Sequence, residues 1–177
     1  MTDPTRPSRT TTVVVTGVSG SGKTTVATQV AERLGWKCSE GDDFHPQANV
    51  EKMRAGHPLA DEDRWPWLSD IAAWIGDREA LGEDVVITCS ALKRAYRDLL
   101  SDGHPSVVFC QLVVPTEALE ERMAHRRGHY MPASLLHSQL ETLQDLQPDE
   151  RGFQVRVEGG QEKVLADVLR HLEPHLA

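Results

Sequence analysis

The chain has 177 residues, 39% of them hydrophobic, which suits one domain with a three-layer core and argues against a second independent domain. Its formal net charge of −8 argues against binding to nucleic acid or to an anionic membrane, since either would need a basic face. The three cysteines, Cys38, Cys89 and Cys110, lack metal-ligand spacing and are expected to be buried thiols of a cytoplasmic protein.

Strand and helix signals alternate along the chain after a polar leader. Residues 1–11 carry Pro4 and Pro7 and predict a disordered leader, so the expected single domain spans residues 12–177. Strands are expected at residues 13–15, 36–40, 85–89, 107–114 and 153–157, and helices at 25–34, 48–55, 116–127, 133–146 and 161–172. A longer helix is expected after Asp63, with Pro66 in its first turn.

This alternation predicts an α/β fold, in which helices cover both faces of a parallel sheet. Helical insertions near residues 46–60 and 126–146 interrupt the simple order of strands and helices. Enzymes often place their moving parts in such insertions, and the second one is expected to act as a lid.

The most specific motif is the segment GVSGSGKT (17–24), which follows the first apolar strand and opens a helix. It is typical of a phosphate-binding P-loop. Its glycines let several backbone amides point at one oxyanion, which the positive end of the following helix also favours. Lys23 is expected to reach the β- and γ-phosphates, and the Thr24 hydroxyl is expected to bind Mg²⁺. The predicted nucleotide-binding residues are Gly17, Ser19, Gly20, Ser21, Gly22, Lys23, Thr24 and Thr25.

Asp42 is the first candidate for a catalytic group. It lies at the carboxyl end of the second predicted strand, beside the P-loop, where reacting groups gather in an open α/β sheet. A carboxylate there can accept the proton of an attacking hydroxyl or order the water around Mg²⁺. The alternative is an Asp that only caps a helix or a turn. His45, three residues further on, is a candidate to donate a hydrogen bond to a substrate oxygen, and the alternative is a solvated loop histidine.

Arg122 and Arg126 are four residues apart and therefore project from the same helix face. In an acidic protein such a pair suits a lid that closes over a triphosphate and neutralises the charge that develops during transfer. The alternative is a solvated face, with Glu120 and Glu121 as ordinary ion-pair partners.

A second group of cations is expected at the carboxyl edge of the sheet. Lys93 and Arg97 follow the third strand, and Arg64 stands at the start of the long helix. Cations that converge from two elements on one crevice suit a second anion, such as a carboxylate on the acceptor. For each of them singly, helix capping or surface pairing remains the alternative.

Six segments of the chain together resemble the bacterial gluconate kinases: GDDFHP (41–46), NVEKM (49–53), GHPL (56–59), DEDRWPWL (61–68), CSALKRAYR (89–97) and SQLETL (138–143). With the P-loop, the resemblance covers the chain to about residue 146. It implies a core like that of the nucleoside monophosphate kinases, with five parallel strands in the order 2-3-1-4-5. It also implies ATP-dependent phosphorylation of the 6-hydroxyl of D-gluconate, which gives 6-phospho-D-gluconate and ADP.

The same resemblance assigns roles to individual residues. Asp42 would be the base on the acceptor side, and Lys23, Arg122 and Arg126 would be the other catalytic groups. The implied sugar-acid site comprises Asp42, His45, Arg64, Lys93, Arg97 and Gln139. Members of the family commonly pair as homodimers, although nothing in the sequence marks an interface.

Two other functions stay open at this point. One is a kinase that acts on shikimate or a nucleoside monophosphate, with the same core and a different acceptor crevice. The other is a nucleotide-operated switch with little chemistry of its own. A guanine-binding switch would need an Asn/Thr-Lys-x-Asp segment after a strand, and the sequence has none.

Overall fold

The computed structural model of the protein describes residues 9–125 and 134–176 and builds them around one parallel sheet. The strands are β1 (Thr12–Thr16), β2 (Lys37–Glu40), β3 (Val85–Thr88), β4 (Val107–Val113) and β5 (Gly152–Arg156). Their order across the sheet is β2-β3-β1-β4-β5, with every neighbouring pair parallel. The expected α/β fold and the 2-3-1-4-5 order are therefore confirmed.

Seven α-helices accompany these strands in the described part of the chain. They are α1 (Lys23–Leu34), α2 (Gln47–Arg54), α3 (Asp61–Ala80), α4 (Arg94–Ser101), α5 (Thr116–His125), α6 (Ser134–Thr142) and α7 (Gln161–Leu172). Short 3-10 turns occupy Gly41–Phe44 and Glu173–His175. None of the described helices combines the length and the apolar character needed to cross a membrane.

The side chains of β1 point alternately to the two faces of the sheet, which shows why the helices form two layers. Val13 and Val15 pack with the apolar faces of α1 and α7, whereas Val14 packs on the other side with α3 and α4. All three valines are fully buried, as expected for a central strand of a parallel sheet. The apolar stripes of the helices therefore close a three-layer core around the strand that leads into the P-loop.

The exposure of Cys38 corrects one expectation from the sequence. Cys89 and Cys110 are buried, and burial raises the pKa of each thiol to about 12. Cys38 is exposed because β2 is an edge strand, which pairs only with β3 and leaves part of its length open to solvent.

The long helix α3 begins earlier than the sequence predicts. The backbone N–H of Ala60 donates to the Asp63 carboxylate at 2.8 Å, and the Asp63 N–H donates to the Ala60 carbonyl oxygen at 3.1 Å. These two bonds start the helix at Asp61 and satisfy amides at its first turn. Pro66 is consequently the sixth residue of α3 and lies in its second turn, not in the first.

The last two residues of the predicted leader are part of the fold. Thr10 and Thr11 are buried, and the Thr11 N–H donates to the Asp84 carboxylate at 2.8 Å. The carbonyl oxygen of Thr11 accepts from the Val85 N–H at 3.0 Å, so the chain is held to the sheet before β1 begins. Residues 1–8 of the leader lie outside the described residues.

Candidate active site

The P-loop occupies the turn between β1 and α1, at the carboxyl edge of the sheet. Gly17 has a φ of 144°, and a Cβ atom added there would lie 2.8 Å from Ser21 Oγ and 3.1 Å from the Leu112 carbonyl oxygen. Glycine is required because the loop curls tightly around the Ser21 side chain, which is itself fully buried. The backbone amides of residues 17–22 are thereby brought to the start of α1.

The amide and ammonium donors of this loop already hold oxygen atoms of the protein. The Ser19 N–H donates to Gln139 Oε1 on α6 at 2.6 Å. Lys23 Nζ donates to the carbonyl oxygens of Gly17 and Val18 at 2.9 and 3.0 Å. The loop therefore presents donors that suit an anionic oxygen, and the Gln139 carbonyl lies where such an oxygen would be received.

Asp42 is carried to the same edge by a close approach between β2 and β3. A Cβ atom on Gly41 would lie 2.1 Å from the Thr88 carbonyl oxygen, so only glycine fits at the end of β2. The Gly41 N–H donates to Thr88 Oγ1 at 3.2 Å, and Trp67 Nε1 donates to the Gly41 carbonyl oxygen at 2.8 Å. With the preceding residue anchored twice, the half-exposed Asp42 carboxylate lines the crevice beside Lys23.

His45 forms the wall next to Asp42. Its ring stacks on the Trp67 indole with centroids 4.0 Å apart and an interplanar angle of 17°. The side chain is only 3% exposed, and Nε2 lies 3.9 Å from Asp42 Oδ1. Burial lowers the pKa of His45 to about 4; the Asp42 charge opposes this shift, and Arg64 adds to it. The imidazole is therefore neutral at physiological pH.

Arg64 brings positive charge to the crevice and is held by its neighbours. Its Nη1 donates to the Tyr96 hydroxyl at 2.7 Å, and that hydroxyl donates in turn to Asp61 Oδ1. Lys93 Nζ lies 3.2 Å from the same Asp61 oxygen. Hydrogen bonds from Tyr96 and Lys93 hold the pKa of Asp61 below its usual value. The guanidinium is thus oriented by a tyrosine whose ring is buried in the core.

The structure brings six of the predicted site residues to one crevice, which also contains Ser90, Leu92 and Leu135 among its lining residues. The six are Ser19, Lys23, Asp42, His45, Arg64 and Gln139. Lys93 pairs with Asp61 and is not among the described residues that line this crevice. Arg122 on α5 reaches the P-loop, where its Nη1 donates to the Gly20 carbonyl oxygen at 3.2 Å. Residues 126–133, which include Arg126 and all of the expected lid segment that precedes α6, lie outside the described residues.

The prediction that Arg97 binds the substrate is wrong. Its side chain is 2% exposed, and Nε and Nη2 donate to the two carboxylate oxygens of Glu150 at 2.7 and 3.0 Å. Nη1 donates to the Ala91 and Gln144 carbonyl oxygens at 3.0 and 2.9 Å. Helical spacing turns Arg97 from the crevice into the protein, where these acceptors use its guanidinium fully.

A second crevice opens on the other side of the P-loop and was missed in the sequence. It has a volume of about 370 Å³ and is lined by Ser21, Gly22, Thr25, Val26, Gln29, Arg122, Val164 and residues 157–161. Gly159 and Gly160, which join β5 to α7, have φ values of 81° and 92°. The sequence signal was this glycine pair, because it follows a parallel strand at the edge where ligands bind.

Comparison with known proteins gives close matches over nearly the whole chain. The family model described as an AAA domain matches residues 13–147. A gluconokinase of Gluconobacter oxydans is 48% identical over 161 residues, which cover 91% of this chain and 90% of that protein. The structure of a gluconokinase from Sinorhizobium meliloti is 45% identical, with a TM-score of 0.81 and coverage of 96% of this chain and 94% of the other. An unliganded sugar kinase from Janibacter sp. is 48% identical, with a TM-score of 0.89 and coverage of 95% and 99%.

Proposed function

The chain belongs to the gluconokinase family of P-loop kinases, and we propose that it transfers the γ-phosphoryl group of ATP to the 6-hydroxyl of D-gluconate. The products are 6-phospho-D-gluconate and ADP. The observation that carries the proposal is the single crevice that joins Ser19 and Lys23 of the P-loop to Asp42, His45 and Arg64. The groups that bind the phosphates and the groups that bind the acceptor therefore lie within one site, as a direct transfer requires.

The nucleotide binds with its phosphates at the P-loop and its adenosine in the second crevice. The contact between the Ser19 N–H and Gln139 Oε1 supports this, because a phosphate oxygen can take the place of the amide oxygen. Arg122 contacts Gly20 and also lines the second crevice, so it stands between the two parts of the ligand. Lys23 and Arg122 supply positive charge for the transferred group, a role that the sequence also predicts for Arg126.

The available oxygen ligands fit Mg²⁺ rather than a metal held by the protein alone. The described residues contain no group of three or more His, Cys, Asp or Glu side chains that would bind a metal ion. Thr24 is exposed at the start of α1, directly after Lys23, and offers one hydroxyl. Mg²⁺ is commonly held by few protein oxygens together with waters and phosphates. Bound there, it would neutralise phosphate charge during transfer.

Gluconate has a carboxylate at one end and the reacting hydroxyl at the other, and the crevice offers partners of both kinds. Arg64 supplies a cation for the carboxylate, and His45 and Gln139 supply hydrogen-bonding groups for the hydroxyls. Asp42 accepts the proton of the 6-hydroxyl. At the same time the hydroxyl oxygen bonds to the γ-phosphorus, and the bond from that phosphorus to ADP breaks. Arg64 takes the role that the sequence had divided among three cations.

The test is ADP release with Mg·ATP, measured in the presence of gluconate, shikimate, ribose or AMP as the acceptor. We expect release that depends on gluconate, with a phosphate monoester at the 6-position detected by ³¹P NMR of the product. Faster turnover with shikimate or AMP would replace gluconate by that acceptor. ADP release at the same rate with and without each acceptor would contradict a kinase function and favour the nucleotide switch.

A further inference from the structure

We propose that Asn49 is a positioning residue that keeps the proton of His45 on Nε2, so that His45 donates a hydrogen bond to the same acceptor hydroxyl that gives its proton to Asp42. This inference rests on the proposed function, because it concerns the reacting hydroxyl of that site. Asn49 follows His45 by four residues and has no role predicted from the sequence.

The orientation of the Asn49 amide follows from its contact with α3. The terminal Nδ2 atom lies 2.8 Å from the backbone carbonyl oxygen of Asp63. A carbonyl oxygen only accepts hydrogen bonds, so the atom that faces it is the nitrogen and not the amide oxygen. Asn49 is 5% exposed in α2, which leaves the amide group little freedom to turn.

The second N–H of this amide determines the tautomer of His45. Asn49 Nδ2 also lies 3.2 Å from His45 Nδ1, and a primary amide has two hydrogens to donate. Because Nδ1 accepts one of them, it carries no proton of its own, and the proton of a neutral imidazole lies on Nε2. The neutral form is the relevant one, since burial on the Trp67 ring lowers the pKa of His45 to about 4.

The charged groups around the ring agree with this state. Arg64 and Lys23 line the same crevice, and positive charge there disfavours an imidazolium, whereas Asp42 favours it. The Asp63 carboxylate forms its hydrogen bonds with groups other than His45. It accepts from Lys52 Nζ at 2.7 Å and from the Ala60 N–H at 2.8 Å. Asp63 therefore acts on His45 only indirectly, because the backbone carbonyl group of Asp63 orients the Asn49 amide.

His45 and Asp42 lie close enough together for one oxygen atom to form hydrogen bonds with both. Nε2 and Asp42 Oδ1 are 3.9 Å apart, which is too long for a direct hydrogen bond. An oxygen that lies to one side of the line between them, roughly 2.8 Å from each atom, forms a hydrogen bond of normal length with both. Such a hydroxyl accepts from Nε2–H and donates its own hydrogen to Asp42.

During transfer this arrangement separates the two roles. The O–H bond of the acceptor breaks and its proton passes to Asp42, while the new O–P bond forms and the bond from the γ-phosphorus to ADP breaks. The Nε2 proton stays on His45. The opposite tautomer would turn the Nε2 lone pair toward the crevice, where it would compete for the hydroxyl proton and leave the acceptor oxygen without a donor. Asn49 thus makes His45 a donor and leaves Asp42 as the base.

The direct test is the ¹⁵N NMR spectrum of the histidine side chains in the wild-type protein, with the His45 signals identified by their loss in His45→Gln. We expect a proton on Nε2 and none on Nδ1. A wild-type spectrum with the proton on Nδ1 overturns the proposal whether or not any variant folds. This spectrum does not depend on turnover, so it also separates a failure of the inference from a failure of the proposed function.

Asn49→Asp tests the cause, because a carboxylate accepts a hydrogen bond from Nδ1–H and reverses the tautomer. We expect the proton to move to Nδ1, the pKa of His45 to rise, and kcat with gluconate to fall about tenfold, the value of one lost hydrogen bond. The KM for ATP should not change. Retention of the Nε2 proton with unchanged kcat overturns the proposal, as does a reversed tautomer with unchanged kcat.

Lys52→Gln is the matched control. Lys52 lies on the same helix and also links α2 to Asp63, but through the Asp63 carboxylate. We expect this variant to lose that link and to keep both the His45 tautomer and the wild-type kcat. The same tautomer change in Lys52→Gln would mean that helix position, and not the Asn49 amide, sets the proton, which contradicts the proposal.

Discussion

Two arginines at the carboxyl edge of the sheet, Arg64 and Arg97, were both expected to bind the substrate, but they lie in different surroundings. Arg64 lines the crevice, with its side chain 14% exposed and Nη1 donating to Tyr96. Arg97 lies in what we call the Arg97 cluster: its guanidinium, the Glu150 carboxylate, and the carbonyl groups of Ala91, Gln144 and Asp145. The first arginine borders the site, and the second has protein acceptors on all three nitrogens.

The difference shows that a cation near an active site can support it without touching the substrate. Arg97 ties the loop after β3 to the segment after α6. In that loop Ala91 has a φ of 40°, a left-handed conformation that costs a residue with a Cβ atom about 1–2 kcal/mol. The neighbouring Ser90 and Leu92 form part of the crevice wall. Burial and satisfied donors therefore mark the supporting arginine.

The largest expected effect is the loss of turnover in Asp42→Asn. Removal of the proton acceptor should lower kcat with gluconate by about 10²–10⁴-fold, while ATP binding and the unfolding midpoint stay close to wild type. Steady-state kinetics and nucleotide titration measure these quantities. Asp43→Asn is the control, since Asp43 is exposed next to it and does not line the crevice. Near-normal turnover in Asp42→Asn would remove Asp42 from the role of base.

The Arg97 cluster should respond in stability instead. Arg97→Gln leaves Glu150 unpaired with its side chain only 4% exposed, and loss of one partner of a buried ion pair costs about 3–5 kcal/mol. Urea unfolding measures the loss. Arg94→Gln breaks a pair with Asp149, whose side chain is 68% exposed, and should have a much smaller effect. Equal destabilisation by the two substitutions would contradict the contrast between buried and exposed pairs.

Arg64→Gln should change substrate binding with little change in stability. Loss of a charge-assisted hydrogen bond to the gluconate carboxylate is expected to raise the KM for gluconate about 10–100-fold and to leave the KM for ATP unchanged. Arg78→Gln is the control, because Arg78 lies at the other end of α3 and pairs with Glu83 at 2.9 Å. If Arg64→Gln unfolds as readily as Arg97→Gln and binds gluconate normally, the two arginines do not differ in the proposed way.

The pH dependence of stability should show the most gradual effect. The folded His45 has a pKa of about 4 against an ordinary value of 6.5, so between these values the unfolded chain binds a proton that the folded chain does not. The free energy of unfolding therefore falls as the pH drops from 6.5 to 4, with a slope of up to ~1.4 kcal/mol per pH unit from this group.

His45→Gln is the reference for that slope. Urea unfolding of both proteins across this range gives the difference that belongs to His45, since His175, whose pKa burial also lowers, is present in each. Identical slopes would mean that His45 is not buried in its neutral form.

The fold and the nucleotide-binding segment could be predicted from the sequence because both depend on local patterns. Apolar strands, helical periodicity and the P-loop glycines specify their own conformations, and the sheet order implied by the resemblance is confirmed. Boundaries were less accurate where side chains set them. The carboxylate of Asp63 starts α3 at Asp61, and the edge position of β2 exposes Cys38.

The residues around the crevice depend on contacts between distant parts of the chain. No local pattern shows that Arg97 meets Glu150, that Trp67 lies under His45, or that Asn49 joins His45 to the backbone of Asp63. The sequence alone therefore determined the class of fold, the phosphate site and the candidates for catalysis. Tertiary packing chose among these candidates, because burial and the distance to a partner decide whether a charged or polar group is used by the protein or left for a substrate.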